Sequence, residues 1–237
     1  MKLKLGRVVT FLAGAMALLC AGAPVINAAA GDPDNPPPRI NGSAVWPVTP
    51  QFVATAHAAC DDILANISEC FLVQMTKAGA PTAAVEFTRE LYKSSHGEVG
   101  IMTGFQAAGP VDIAWVTYPL RANTNNGLLF VNGAPRLVNA EDLQLLDRKA
   151  MQQSAQFRNL KAAVPEVMML PGDRDGKTWP NSTKAADGSI QFVLDYPLVN
   201  GCRACAREGK AFFNWNFSAK GTFAGTTFIG MTPPPLQ

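Results

Sequence analysis

Cysteine offers the clearest chemical options in this chain, and four of its five copies lie beyond residue 31, at Cys60, Cys70, Cys202 and Cys205. The segment Gly201-Cys202-Arg203-Ala204-Cys205-Ala206 places two thiols three residues apart, a spacing that serves three chemistries. As a redox pair it needs Cys202 at a helix N-terminus within a strand-helix-strand unit, where the helix dipole lowers the thiol pKa. The flanking residues instead read as a loop between two strands. As a metal site, His57 and Cys60 together with Cys202 and Cys205 would supply one imidazole and three thiolates, a workable set for zinc that leaves Cys70 alone. As a structural bridge, Cys202–Cys205 pinches the loop, and the even count in an oxidising compartment favours a second bridge, Cys60–Cys70, among three possible connectivities. Arg203, Arg207 and Lys210 flank the motif and form a candidate anion-binding rim on an otherwise near-neutral chain.

The remaining inventory is thin. His57 and His96 are the two histidines, and neither lies in a nucleophile elbow or a metalloprotease helix. Asp173-Arg174-Asp175-Gly176 starts like a calcium loop but lacks the third acidic position and the distal glutamate, so it reads as a polar turn. No catalytic residue, metal ligand or cofactor is assigned from the sequence, and the balance leans away from an enzyme.

The elements that would position these residues change character along the chain. Apolar residues at Phe52, Ala56, Ala59, Ile63, Ile67, Phe71 and Met75 follow helical spacing, and Gly79 and Pro81 separate them from a second helix over 82–92. If Cys60 and Cys70 shared one unbroken helix they would stand about 15 Å apart. A disulfide requires α-carbons within about 7 Å, so local pairing predicts a helix break, with Asn66 and Ser68 as candidates. Strands follow at 98–105, 111–118 and 128–131, with Asn132-Gly133 signalling a two-residue hairpin before 135–138. A further helix over 141–162 precedes strands at 167–170, 190–196, 210–217 and 222–230. In 210–217, Phe213, Trp215 and Phe217 alternate with Asn214 and Asn216, the pattern of a strand with one buried and one wet face.

Each half thus reads as a helical piece followed by four antiparallel strands, and the second strand of each ends in Tyr-Pro-Leu, at 118–120 and 196–198. The expected fold is α+β, antiparallel sheet with helices packed on one face, in two similar halves with Tyr118 and Tyr196 at equivalent positions. Proline ends a strand because it cannot donate to the ladder, so both tripeptides read as structural.

The first residues resemble an export signal. Lys2, Lys4 and Arg7 precede an uncharged apolar stretch from Val8 to Val25, and Ala28 to Ala30 supply small residues for cleavage. Gly14, Gly22 and Pro24 interrupt that stretch, which argues against a retained anchor, and Leu18-Leu19 before Cys20 does not suit lipidation. Three of the 20 basic residues lie in the leader, so the remainder carries 17 against 18 acidic ones, a net charge of about −1. Without basic blocks the chain has no footprint for nucleic acid or for an anionic membrane, and no stable membrane insertion is expected once the leader is cleaved. The expected organisation is a signal peptide over 1–30, a proline-rich linker over 31–49, a first half over 50–140, a second half over 141–232 and a proline-rich tail over 233–237.

The Tyr-Pro-Leu element followed by GCRACA, an aromatic strand and a hairpin is similar to an uncharacterised family of small exported bacterial proteins. The similarity covers about the last 150 residues and implies no activity. Tandem helix-plus-four-strand halves also resemble, in architecture, the β-lactamase inhibitory proteins, whose paired sheets present a concave face to an enzyme. Together these lead to an exported, periplasmic or secreted, non-catalytic binding or inhibitor-like protein with a protein or small-molecule partner. The alternative is a thiol-redox or metal-binding protein using Cys202 and Cys205.

Overall fold

Residues 37–60, 67–95, 97–122, 125–172 and 178–233 are described by the computed structural model. The leader, the first six residues of the linker, His96, the Asp173–Gly176 turn and the residues after Pro233 lie outside them. The described elements form an α+β fold of five α-helices and two antiparallel sheets.

The helical periodicity resolves into α1 (Pro50–Cys60), α2 (Ile67–Lys77) and α3 (Thr82–Ser94). Residues 61–66, including Asn66, lie outside the described residues and Ser68 lies within α2; α1 and α2 pack on each other, with Cys60 and Cys70 at a Cα separation of 5.8 Å within a disulfide. Phe87 and Leu91 of α3 pack on the first sheet, while Ala84 and Val85 face Phe71, Leu72 and Met75 of α2. Each large apolar side chain buried in this way contributes about 1.5–3 kcal/mol.

The first sheet is a meander of β1 (Ile101–Gln106), β2 (Asp112–Thr117), β3 (Asn126–Val131) and β4 (Leu137–Asn139), in that order. After it come α4 (Arg148–Gln153) and α5 (Ala155–Ala163), where one helix was expected over 141–162. The division follows from competing caps: Asp147 accepts from the Ala150 N–H and Ser154 from the Phe157 N–H, so each opens a new helix. The second sheet comprises β5 (Val167–Met169), β6 (Ser182–Lys184), β7 (Ile190–Asn200), β8 (Arg207–Phe217) and β9 (Phe223–Thr232). β5 and β6 both pair with β7, at its opposite ends, which makes five strands where four were expected.

Helices lie on one face of the first sheet, as expected, and its other face meets the second sheet. Ile113, Trp115, Leu128 and Phe130 of the first sheet share one core with Phe192, Leu194, Tyr196, Phe213, Trp215 and Phe217 of the second. Phe130 alone meets Phe192, Trp215 and Phe217 at centroid distances of 4.9, 5.4 and 4.9 Å. The sheets are therefore stacked face to face, and α1–α3 cover the other face of the first sheet. The continuous burial of β2 and β3 is the mark of this two-sided packing. The second sheet buries one face and leaves the other to solvent, in keeping with the alternation in β8.

The Tyr-Pro-Leu segments do not occupy equivalent strand positions, since Tyr118 lies just past β2 while Tyr196 is inside β7. They nonetheless converge on one place. The Tyr196 hydroxyl donates to Ala140 O at 2.7 Å, and the Tyr118 ring lies beside the Glu141 carboxylate. The stretch from Pro37 to Thr49, expected as linker, belongs to the body. Ile40 and Ala44 are buried, Arg39 Nη2 contacts Asp112 Oδ2 at 2.6 Å, and Asn132 bonds both backbone groups of Ile40. The turn after β3 is longer than a two-residue hairpin, closing with Asn132 N–H on Arg136 O. Ala134 within it is bonded to Gly221 and Phe223 of the second sheet, where a Cβ on Gly133 would come 2.5 Å from Gly221 O.

Candidate functional site

Beside the edge strand β4 lies a cavity of about 610 Å³, lined by the end of α3, the turn after β2, β4 itself and the Cys202–Cys205 loop. Its chemistry centres on Arg121. Pro119 ends the run of β2, and the Arg121 N–H closes a turn on Tyr118 O at 3.3 Å, which carries the guanidinium back over the sheet. Ser95 Oγ accepts from the Glu98 N–H and donates to Glu98 O, so the link from α3 to β1 holds Glu98 opposite. Glu141 follows β4, its N–H bonded to Asn139 Oδ1.

Arg121 meets Glu98 through two bonds, Nε to Oε1 at 3.0 Å and Nη2 to Oε2 at 2.6 Å, and Glu141 Oε2 through Nη1 at 2.6 Å. Its Cζ lies 3.6 Å from the centroid of the Tyr118 ring, a cation–π contact. Burial disfavours the charged guanidinium, but the bonds to Glu98 and Glu141 outweigh it and hold the Arg121 pKa above its usual value. Burial, reinforced by Glu141 and Glu98 and opposed by Arg121, pushes the Tyr118 phenol upward, so it stays protonated. Its hydroxyl has no partner among the described residues. Gly127 makes the arrangement possible, since a Cβ there would meet Tyr118 Cε2 at 2.7 Å and Glu141 Oε2 at 2.9 Å. The cluster ties three elements together through charge-assisted bonds, and Arg121 engages both carboxylates. Arg203 lines the cavity on the side of the second sheet, while Leu91, Leu129, Leu137, Leu145 and Phe223 supply its apolar surface.

The β4 backbone adds the other feature. Arg136 O and Ala140 N–H are directed to β3, and Val138 pairs with Phe130. By strand alternation Leu137 therefore directs its N–H and C=O, and Asn139 its N–H, away from β3 toward the cavity side. No backbone partner meets these three groups among the described residues.

The residues expected to act together are distributed otherwise. Cys202 and Cys205 are joined to each other in an exposed loop, and Cys60 is joined to Cys70. With all four sulfurs in disulfides, the set of three thiolates with His57 is not assembled; His57 Nε2 lies 3.3 Å from Pro119 O. Among the described residues no group of three His, Cys, Asp or Glu side chains is placed to hold a metal ion. Of the three cations expected at a rim, Arg203 lines the cavity, while Lys210 lines a notch in the second sheet and is bound to Asp195 at 2.7 Å. The cause is register: Lys210 lies opposite Pro197 in β7, which puts Asp195 on the same face as its diagonal neighbour. Arg121, Glu98 and Glu141 were not singled out in the sequence. They stand 23 and 20 residues apart, distances set by the meander and by no local motif.

Two disulfides fit an oxidising environment. Among the described residues no helix is long and apolar enough to cross a membrane. No family model, curated protein or solved structure matches the chain.

Proposed function

We propose that the protein is an exported, periplasmic or secreted, non-catalytic binding protein that holds an extended segment of a partner polypeptide along β4. The observation that carries this reading is the edge of β4. Leu137 N–H, Leu137 C=O and Asn139 N–H face the cavity side in the spacing that a tripeptide-length strand would complete. The apolar surface beneath offers a place for alternate side chains, and Asp142 and Arg203 at the margin offer both signs of charge. Arg121, held between two carboxylates, makes a fixed wall in place of a proton-transfer group. Membership of the uncharacterised exported family suggested by the Tyr-Pro-Leu and GCRACA segments belongs to the same reading.

The test is a fluorescence-anisotropy screen of synthetic peptides against the full chain and Leu137→Pro. That change deletes an outward N–H on an edge strand and leaves the β3–β4 ladder in place. Peptides that bind the parent and lose about tenfold or more on the variant support the reading. Absence of peptide binding, or binding that the variant does not alter, overturns it. A thiol role remains a second reading because Cys202 and Cys205 are both exposed. Thiol counting after mild reduction tests it: selective opening of this bridge with rapid exchange onto a second disulfide supports it, and inertness rejects it.

A further inference from the structure

The edge of the second sheet is interrupted. β5 covers β7 from Leu198 to Asn200 and β6 covers it from Ile190 to Phe192. Just inside these limits Leu170 N–H donates to Pro197 O and Val193 N–H to Asn181 O. Alternate residues of an antiparallel strand direct their backbone groups to the same edge. Asp195, midway between Val193 and Pro197, therefore turns its N–H and C=O to the interruption, where no backbone partner meets them among the described residues. On the other side the chain leaves the ladder at Pro180, which has no N–H to offer, and Trp179 packs on Trp115 with ring centroids 5.7 Å apart.

A notch of about 390 Å³ results, lined by Trp115, Trp179, Asn181, Asp195, Lys210 and Phe212 among others. Three properties define what would fill it. Trp115 is 2% exposed, and its indole N–H has no hydrogen-bond partner, an uncommon state for a buried donor. The ionised side chains of the lining, Asp195 and Lys210, are bonded to each other at 2.7 Å, so the notch carries no net charge. The solvent face leading away from it carries Gln191, Asn214, Asn216 and Thr227, which are amides and a hydroxyl. Asn216 Nδ2 donates to Thr227 Oγ1 at 3.1 Å.

An anion would have to compete with Asp195 for Lys210. A polypeptide strand would find its path along β7 taken by Trp179 and Pro180. A ligand that offers hydroxyls as donor and acceptor together, with an apolar C–H face for an aromatic ring, meets every one of these conditions. We infer that the notch between β5 and β6 is a binding site for a neutral saccharide, seated against Trp179 and hydrogen-bonded to Asp195, Asn181 and the Trp115 indole N–H. Longer saccharides extend over the amide-bearing face of β7 and β8. This site is separate from the β4 cavity and does not depend on the reading of that cavity.

Isothermal titration of the full chain with neutral oligosaccharides tests the inference, using tetrasaccharides of glucose in α- and β-linkage, of mannose and of N-acetylglucosamine, with an oligogalacturonate as the charged comparison. The expected result is binding of at least one neutral tetrasaccharide, weakened about tenfold or more by Trp179→Ala through loss of the stacking surface. Asn181→Ala, at an exposed position, serves as the second variant should Trp179→Ala not fold. No binding across the neutral panel, binding of the oligogalacturonate alone, or binding that neither variant changes would overturn the assignment.

Discussion

Replacing Arg121 with methionine keeps much of the side chain's apolar bulk and removes its charge, leaving Glu98 and Glu141 without their cation. The two carboxylates do not suffer equally. The Glu98 side chain is 40% exposed, so its pairing is screened by water and its loss costs between nothing and about 1 kcal/mol. The Glu141 side chain is 5% exposed, and a buried carboxylate stripped of its partner costs about 3–5 kcal/mol. Loss of the contact with the Tyr118 ring adds about 0.5–2 kcal/mol. The Glu141 arm dominates, and Arg121→Met should lose about 3–5 kcal/mol at neutral pH, a large part of the stability of an ordinary domain. The assay is urea unfolding followed by tryptophan fluorescence, with an unchanged slope as the sign that the native surface is intact. The variant also acquires a pH dependence of definite sign. Without Arg121, burial raises the folded-state pKa of Glu141 above the unfolded value of about 4.3. The folded variant then binds more protons than the unfolded chain between those two values, so its deficit against the parent is smallest below about pH 4 and grows as pH rises through the raised pKa. Adding Glu141→Gln removes the stranded charge and should recover part of the loss. A deficit under about 1 kcal/mol that is flat from pH 4 to 8 would refute the reasoning.

Three further perturbations test the body of the fold by urea unfolding and thermal melting. Phe130→Ala removes the ring that meets Phe192, Trp215 and Phe217 between the sheets and should cost about 3–5 kcal/mol; a cost under about 1 kcal/mol would contradict face-to-face stacking. Gly127→Ala drives a methyl group into Tyr118 and the Glu141 carboxylate and should cost about 1–3 kcal/mol, while Gly42→Ala, with open space around it, should be near neutral. Removing Cys60–Cys70, whose loop spans ten residues, should cost about 3 kcal/mol against about 2 kcal/mol for Cys202–Cys205, which spans three; the reverse order would show that chain entropy does not govern these bridges.

Local periodicity made part of this architecture legible. The alternation Phe213, Trp215, Phe217 against Asn214 and Asn216 carried the one-sided burial of β8, because successive strand residues point to opposite faces whatever lies beyond them. The recurrence of Val85, Leu91 and neighbouring apolar residues marked α3. The apolar runs 111–118 and 128–131 carry a further signal, since strands apolar on both faces announce a sheet covered on both sides. The sheets stack because Phe130 and Trp115 are buried on the face opposite α3.

By itself the sequence determined the α+β class and the strand faces, because these depend on steric preferences of neighbouring residues and on a fixed side-chain period, whereas Pro197, expected to end its strand, lies inside β7. Only the tertiary structure decided that the sheets stack and that Arg121 bridges Glu98 and Glu141 across 23 and 20 residues. It also placed Arg203 and Lys210 at different sites and opened a notch at Asp195. Hydrogen bonds and ion pairs between distant segments leave no spacing in the chain, since partners are chosen by which surfaces the core brings together after the apolar faces have been buried.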